Sequence, residues 1–149
     1  MLFRSSHERS APTLSQSDLG ETFEWLAEQM QQKHGLAVHL DLGERLELAS
    51  EPLRALLYKA AREALFNVIK HAGVREAKLR LRHRRGRVRL SVSDRGRGFD
   101  PRKPGSKLGF GLRSIRERVE YLGGRMKIHS AVGKGSIFLL TVPDAEGSR

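Results

Sequence analysis

The stretch from Lys78 to Val92 leaves few ways for this chain to fold. Leu79 and Leu81 alternate with Lys78, Arg80 and Arg82. After Arg84-Arg85-Gly86, Val88, Leu90 and Val92 alternate with Arg87, Arg89 and Ser91. A period of two sends aliphatic side chains to one face of an extended segment and cations to the other. The spacing predicts an antiparallel hairpin with one buried and one basic face. A single hairpin cannot bury its apolar face alone, so a second layer is required.

Helical patterns supply that layer. Leu19, Phe23, Leu26 and Met30 recur at helical spacing. Ser17 is placed to cap that helix, with Asp18 and Glu21 in its first turn and Lys33, His34 and Gly35 at its end. Val38, Leu40 and Leu42 alternate as a strand. Ser50 caps a second helix, Pro52 sits in its first turn, and Leu53, Leu57, Ala60, Ala61, Ala64, Leu65 and Val68 carry an apolar stripe to about His71 before Gly73 breaks it. Gly96, Gly98, Pro101, Pro104 and Gly105 make Asp94–Leu108 a loop. A third helix runs from about Gly111 to Leu122, followed by Gly123-Gly124. Met126 and Ile128 open a strand, Gly133 and Gly135 mark a turn, and the last strand is Ser136–Val142. This order predicts an α+β, two-layer α/β sandwich: a mixed sheet of about five strands with three helices on one face. Residues 1–16 read as a flexible tail, 17–143 as one domain, and 144–149 as a frayed end.

The chain has 149 residues and no cysteine, which excludes disulfides, thiolate metal sites and a cysteine nucleophile. No apolar run approaches the roughly 20 residues of a membrane span, and Met1–Ser10 holds no apolar stretch of signal-peptide length. A cytoplasmic domain without membrane contact is expected. Lys and Arg number 28 against 17 Asp and Glu, a net charge of +11, which favours anionic partners. The charge concentrates between Arg75 and Arg89, where Glu76 is the single acid. Such a face is either ordinary solvated surface or an anion-binding or docking face.

Four short segments carry candidate chemistry. In EALFNVIKHA, Glu63 and Asn67 stack one helical turn apart, with Lys70 and His71 toward the same side. A carboxylate beside an amide oxygen suits a hard cation such as Mg²⁺, and Lys70 suits a phosphate. In SVSDRGRGFD, Asp94 stands at a strand end before Gly96 and Gly98, where a carboxylate can accept from an exocyclic amine and glycines let a flat ligand approach. In LGFGLRSIRERV, Gly109 and Gly111 lead into a helix whose N-terminus is suited to phosphate. In VGKGSIFLLTVP, Ser136 offers a hydroxyl near Asp94. Each segment alone has a plain structural reading, as a wet helix face or a glycine turn. The common phosphate loops are absent: Gly133-Lys134 is followed by Gly135, and the G-x-G-x-x-G pattern would need glycine where Ser114 stands.

Taken in order, the four segments resemble the ATP-binding catalytic domain of bacterial sensor histidine kinases, in the superfamily shared with gyrase and Hsp-type chaperones (the Bergerat fold). EALFNVIKHA resembles the N box, DRGRGFD the G1 box and GFGLRSIRERV the G2 box. LGGRMKIHSAVGKGS resembles the closing strand pair, and Trp25-Leu26-Ala27-Glu28 is similar to a segment of the subfamily linked to LuxR-type response regulators. The resemblance spans about Leu19 to Pro143. It implies ATP and Mg²⁺ as ligands, with Asn67 on the metal and Glu63 positioning or deprotonating the attacking group. Lys70 and His71 would face phosphates or ribose. Asp94 would read the adenine amine, with Gly96 and Gly98 giving the base room and Ser136 sharing a water with it. Pro101–Leu108 would be a lid, and Gly109, Phe110, Gly111 and Leu112 its hinge and the phosphate-binding helix start. It further implies a histidine-bearing dimerisation domain, absent from this chain, and a response regulator downstream.

This sequence departs from the family pattern at Arg95, where an acid or Asn often follows the G1 aspartate. His7 lies too close to Ser17, with Pro12 between, to sit on a long helical hairpin, and it reads as tail. His34, His39, His83 and His129 have no partner pattern. Two other functions remain open: a free-standing anti-sigma-type serine kinase of the same fold, and a basic nucleic-acid-binding module on Arg80, Arg82, Arg87 and Arg89. The second lacks aromatics between Arg75 and Arg89 on which bases would stack, so no nucleic acid is expected.

Overall fold

The computed structural model describes residues 19–44, 50–100, 102 and 110–144. The predicted cap at Ser17, the N-terminal tail, residues 145–149, nearly all of the lid stretch and Gly109 lie outside these residues. The elements are α1 (Leu19–His34), β1 (Ala37–Leu42), α2 (Glu51–Asn67), a π-helical turn (Val68–Ala72), β2 (Glu76–Arg84), β3 (Arg87–Asp94), α3 (Phe110–Tyr121), β4 (Arg125–Ser130) and β5 (Ser136–Pro143). The strands form one mixed sheet in the order β1-β2-β3-β5-β4. Among the described strands only β1 and β2 run parallel, with α2 as the crossover that such a pair needs.

The hairpin forms as its alternation predicts. Ala77, Leu79 and Leu81 of β2 and Val88, Leu90 and Val92 of β3 are buried, and the intervening cations face water. Phe138, Leu140 and Val142 of β5 and Met126 of β4 extend the same apolar face. Three helices cover it: Leu19, Phe23 and Leu26 from α1, Leu57 and Leu65 from α2, and Leu112, Ile115 and Val119 from α3. Burying each of the larger side chains contributes about 1.5–3 kcal/mol. The Ser50 hydroxyl accepts from the Leu53 N–H at 3.2 Å, the predicted cap of α2. Among the described residues, no helix is long and apolar enough to cross a membrane.

Asp144, which the sequence places in the frayed end, is 1% exposed. Register explains this. Arg87 pairs with Pro143, so the next residue lies over the β2–β3 turn. There the Asp144 N–H donates to the Gly86 carbonyl at 2.7 Å, and its Oδ2 lies 3.2 Å from His83 Nε2. His39 likewise has a partner, with Nε2 3.2 Å from Glu76 Oε1.

Candidate functional site

The site grows from the end of α2. The apolar stripe keeps this helix regular through Leu65, but at Val68 the N–H is shared between the Ala64 and Leu65 carbonyls. The backbone then widens into the π-helical turn, and Gly73, in the left-handed conformation at φ +72, ends it. The regular 3.6-residue stripe expected to reach His71 therefore holds only from Glu63 to Asn67. Lys70 and His71 sit in the wider turn, exposed, while Val68 and Ala72 are buried. Such turns carry an extra residue per ring and are frequent at functional sites.

The loop after β3 docks on this turn. The Arg97 N–H donates to the Ala72 carbonyl at 2.9 Å. Gly96 lies so close to Ala72 that a Cβ at position 96 would stand 2.7 Å from the Ala72 Cβ. Asp94 Oδ1 accepts from the Gly96 N–H at 2.8 Å, which folds the loop back over the strand end. Asp94 Oδ2 has no hydrogen-bond partner among the described residues. The half-buried carboxylate thus keeps one oxygen for the loop and one for an outside donor.

The β4–β5 turn braces the loop from the other side. The Gly133 N–H donates to the Arg97 carbonyl at 2.7 Å, and the Phe99 N–H donates to Ser130 Oγ at 2.8 Å. Gly98, at φ +62, packs against Ala131 and the Gly135 carbonyl. Ser130 Oγ donates to the Gly135 carbonyl at 3.1 Å and lies 2.8 Å from Ser136 Oγ. The single Ser130 proton is used on Gly135, so Ser136 is the donor of the Ser130–Ser136 bond. Ser136 stands directly across from Asp94 in the ladder. Its hydroxyl proton is committed to Ser130, which leaves its lone pairs as acceptors. Ser130 was not singled out from the sequence. Its signal was there: it precedes the glycine turn and pairs with Ser136 in register.

The third approach is between helices. Gly111, in the first turn of α3, packs on the Glu63 carboxylate. Leu112 is buried and anchors that turn, so the helix start is held beside α2. Glu63, Asn67, Lys70 and His71 come from α2 and its extension, Asp94, Gly96 and Gly98 from the β3 loop, and Gly111 and Leu112 from α3. The contacts through Ala72 and Glu63 bring all three groups to one end of the sandwich. Arg97 adds a cation there: its guanidinium lies on the α-carbon side of Gly73. Among the described residues, no group of three or more His, Asp or Glu side chains could hold a metal by itself.

Comparison with known proteins agrees with this geometry. The family described as histidine kinase-, DNA gyrase B-, and HSP90-like ATPase matches residues 53–146. The sensor histidine kinase MctS of Rhizobium johnstonii is 32% identical over 130 residues, which is 86% of this chain and 28% of that protein. The oxygen sensor histidine kinase NreB of Staphylococcus carnosus is 28% identical over 138 residues, 93% of this chain and 40% of that protein. The chain thus spans less than half the length of these curated relatives. Among solved structures, the histidine kinase domain of the blue-light-activated kinase from Erythrobacter litoralis superposes with a TM-score of 0.73 at 20% identity, covering 98% of this chain and 70% of that one. The chain belongs to the histidine kinase-, DNA gyrase B-, and HSP90-like ATPase family, as an ATP-binding domain of the bacterial sensor-histidine-kinase kind.

Proposed function

We infer that this chain binds Mg-ATP at the end of the sandwich where Asp94, Asn67 and Gly111 meet, and presents the γ-phosphoryl group to a histidine on a dimerisation domain. A response regulator would take the phosphoryl group from that histidine. The observation that carries the reading is the convergence itself: Gly96 seats on Ala72, and Gly111 seats on Glu63.

In this reading Asp94 Oδ2 accepts from the adenine exocyclic amine while Oδ1 stays on the Gly96 N–H. Glycine at 96 and 98 lets the loop seat on Ala72 and on the β4–β5 turn, which fixes Asp94 and the loop backbone where the base would lie. Lys70, Arg95 and Arg97 surround the polyphosphate with positive charge, His71 offers an imidazole N–H beside it, and the free N–H groups at the start of α3, near Gly111 and Leu112, face its oxygens. The donor set fits magnesium, which is usually held by one or two protein oxygens together with phosphates. Asn67 Oδ1 would be the protein ligand, and the ion would supply charge neutralisation at the phosphates. Glu63 orients the attacking imidazole or takes its proton. Phosphoryl transfer asks the protein mainly for positioning and electrostatics, which is what these residues provide.

Titration of Asp94→Asn with ATP tests this. The Asn carbonyl still accepts from Gly96, but its amide would point a donor at the adenine amine. Affinity should fall about ten- to a hundredfold, the loss of one hydrogen bond to a charged acceptor. Full retained affinity would remove the adenine assignment. Labelled phosphate from ATP should pass to a supplied histidine-bearing helical hairpin; transfer to a serine of an anti-anti-sigma-like protein instead would favour the serine-kinase reading.

A further inference from the structure

The outer face of the sheet carries eight cations: Lys78, Arg80, Arg82, Arg84, Arg87, Arg89, Arg125 and Lys127. Among the described residues its only acids are Asp41 and Glu76. Asp41 is already committed to Arg80 and Arg82, at 3.0 and 2.7 Å. Lys78, Arg84, Arg87, Arg89, Arg125 and Lys127 have no acidic partner among the described residues. The nucleotide site does not account for them. Arg87 and Asp94 stand at opposite ends of β3, about 24 Å apart at the usual rise per residue.

The arrangement works against the sheet. Arg82 faces Arg89 directly across the β2–β3 ladder, and Arg84 faces Arg87. Like charges in directly opposed positions are destabilising. The row continues from Arg89 through Thr141 to Arg125, so three guanidinium groups line up across the sheet. Beside this row the face turns apolar: Leu139 is half-buried and Ile137 is 46% exposed.

From this we propose that the outer sheet face is a docking surface for an acidic protein, whose carboxylates pair with Arg84, Arg87, Arg89 and Arg125 while its apolar side chains meet Ile137 and Leu139. Guanidinium forks match carboxylates two bonds at a time. An apolar strip beside charge is the make-up of a protein interface. Among the described residues the face has no Phe, Tyr or Trp for bases to stack on, only the imidazoles of His39 and His129, and it is an open sheet with no element to enter a groove. Five strands of six to nine residues give roughly 500–700 Å² of surface, the size of a transient encounter.

The test compares two charge-reversed pairs of equal net charge in this whole chain: Arg87→Glu with Arg89→Glu on the face, and Lys59→Glu with Arg118→Glu on exposed helix positions. Binding of a labelled Glu-Glu-Leu repeat peptide at physiological ionic strength should weaken about tenfold or more for the first pair and stay within about twofold for the second. Ile137→Ser should weaken it further without changing charge. The first pair should melt no lower than the original chain, because it sets one carboxylate opposite Arg82 and another opposite Arg84. Equal losses for both pairs would reduce the effect to net charge and overturn the proposal. So would tighter binding of duplex DNA, or of phosphatidylcholine–phosphatidylserine vesicles, than of the peptide.

Discussion

The α-carbon of Gly111 in α3 stands against the carboxylate of Glu63 in α2: a Cβ on residue 111 would lie 2.7 Å from Glu63 Oε2 and 2.8 Å from its Cδ. The start of α3 is therefore in contact with the carboxylate proposed to orient the attacking group. What occupies residue 111 decides where that carboxylate can point.

Two glycine-to-alanine changes should separate positioning from folding. At residue 111 the obstacle is the far end of a flexible side chain, which can rotate away. Gly111→Ala should melt within a few degrees of the original chain, as overpacking relieved by rotamer change costs little. Phosphoryl transfer should nonetheless fall about tenfold or more, with ATP affinity changed far less. At residue 96 the obstacle is the backbone and Cβ of Ala72, which cannot rotate away. Gly96→Ala should cost about 1–3 kcal/mol, read by denaturant unfolding, and lower ATP affinity as well. Equal loss of stability for the two variants would contradict this account.

Ser130→Ala tests the brace under the β3 loop. Ser130 Oγ accepts from the Phe99 N–H and from Ser136, and donates to the Gly135 carbonyl. Alanine leaves the Phe99 N–H without its acceptor in a half-buried place, at a cost of about 1–3 kcal/mol. Amide hydrogen exchange at Phe99 should speed up, while exchange in the β2–β3 hairpin should change little. Unchanged exchange at Phe99 would mean that the hydroxyl is not what holds the loop.

The elements read from the sequence are those with a strong period or a local cap. The Lys78–Val92 hairpin announces itself because each aliphatic residue is flanked by Arg, Lys or Ser, and α2 announces its start through Ser50 and Pro52. The four candidate segments could be ordered because each puts a polar or glycine pattern at the end of an element. What stayed hidden depends on contacts distant in sequence. The change from α to π winding at Val68 has no propensity signature, since Val68 and Ala72 read as a continuing apolar stripe. The seat of Gly96 on Ala72 joins residues on separate elements. Asp144 looks like tail because it is polar and followed by glycine and serine, yet the β3–β5 register carries it onto Gly86 and His83. The parallel pairing of β1 with β2 is likewise fixed by the crossover through α2, which no local pattern specifies.

Asp41 gives a pH-dependent prediction. The Arg82 hydrogen bond, helped by the charges of Arg82, Arg80 and Lys78, holds its carboxyl below the ordinary aspartate value, against a smaller opposing effect of partial burial. It ties β1, an edge strand, to β2, and Arg82 also donates to the Asp41 carbonyl at 2.7 Å. A carboxyl whose value is depressed on folding contributes stability above its unfolded pKa of about 4, and that contribution disappears as pH falls through the folded value. Asp41→Asn should therefore melt below the original chain near neutral pH, and the gap should narrow below about pH 4 and close in stronger acid. Added salt should narrow it at neutral pH too, because the pair is partly exposed and screened. Melting temperatures of both chains measured from neutral to strongly acid pH check this. A gap that stays constant across the range would mean that the carboxamide's shape, and not the lost charge, causes the difference.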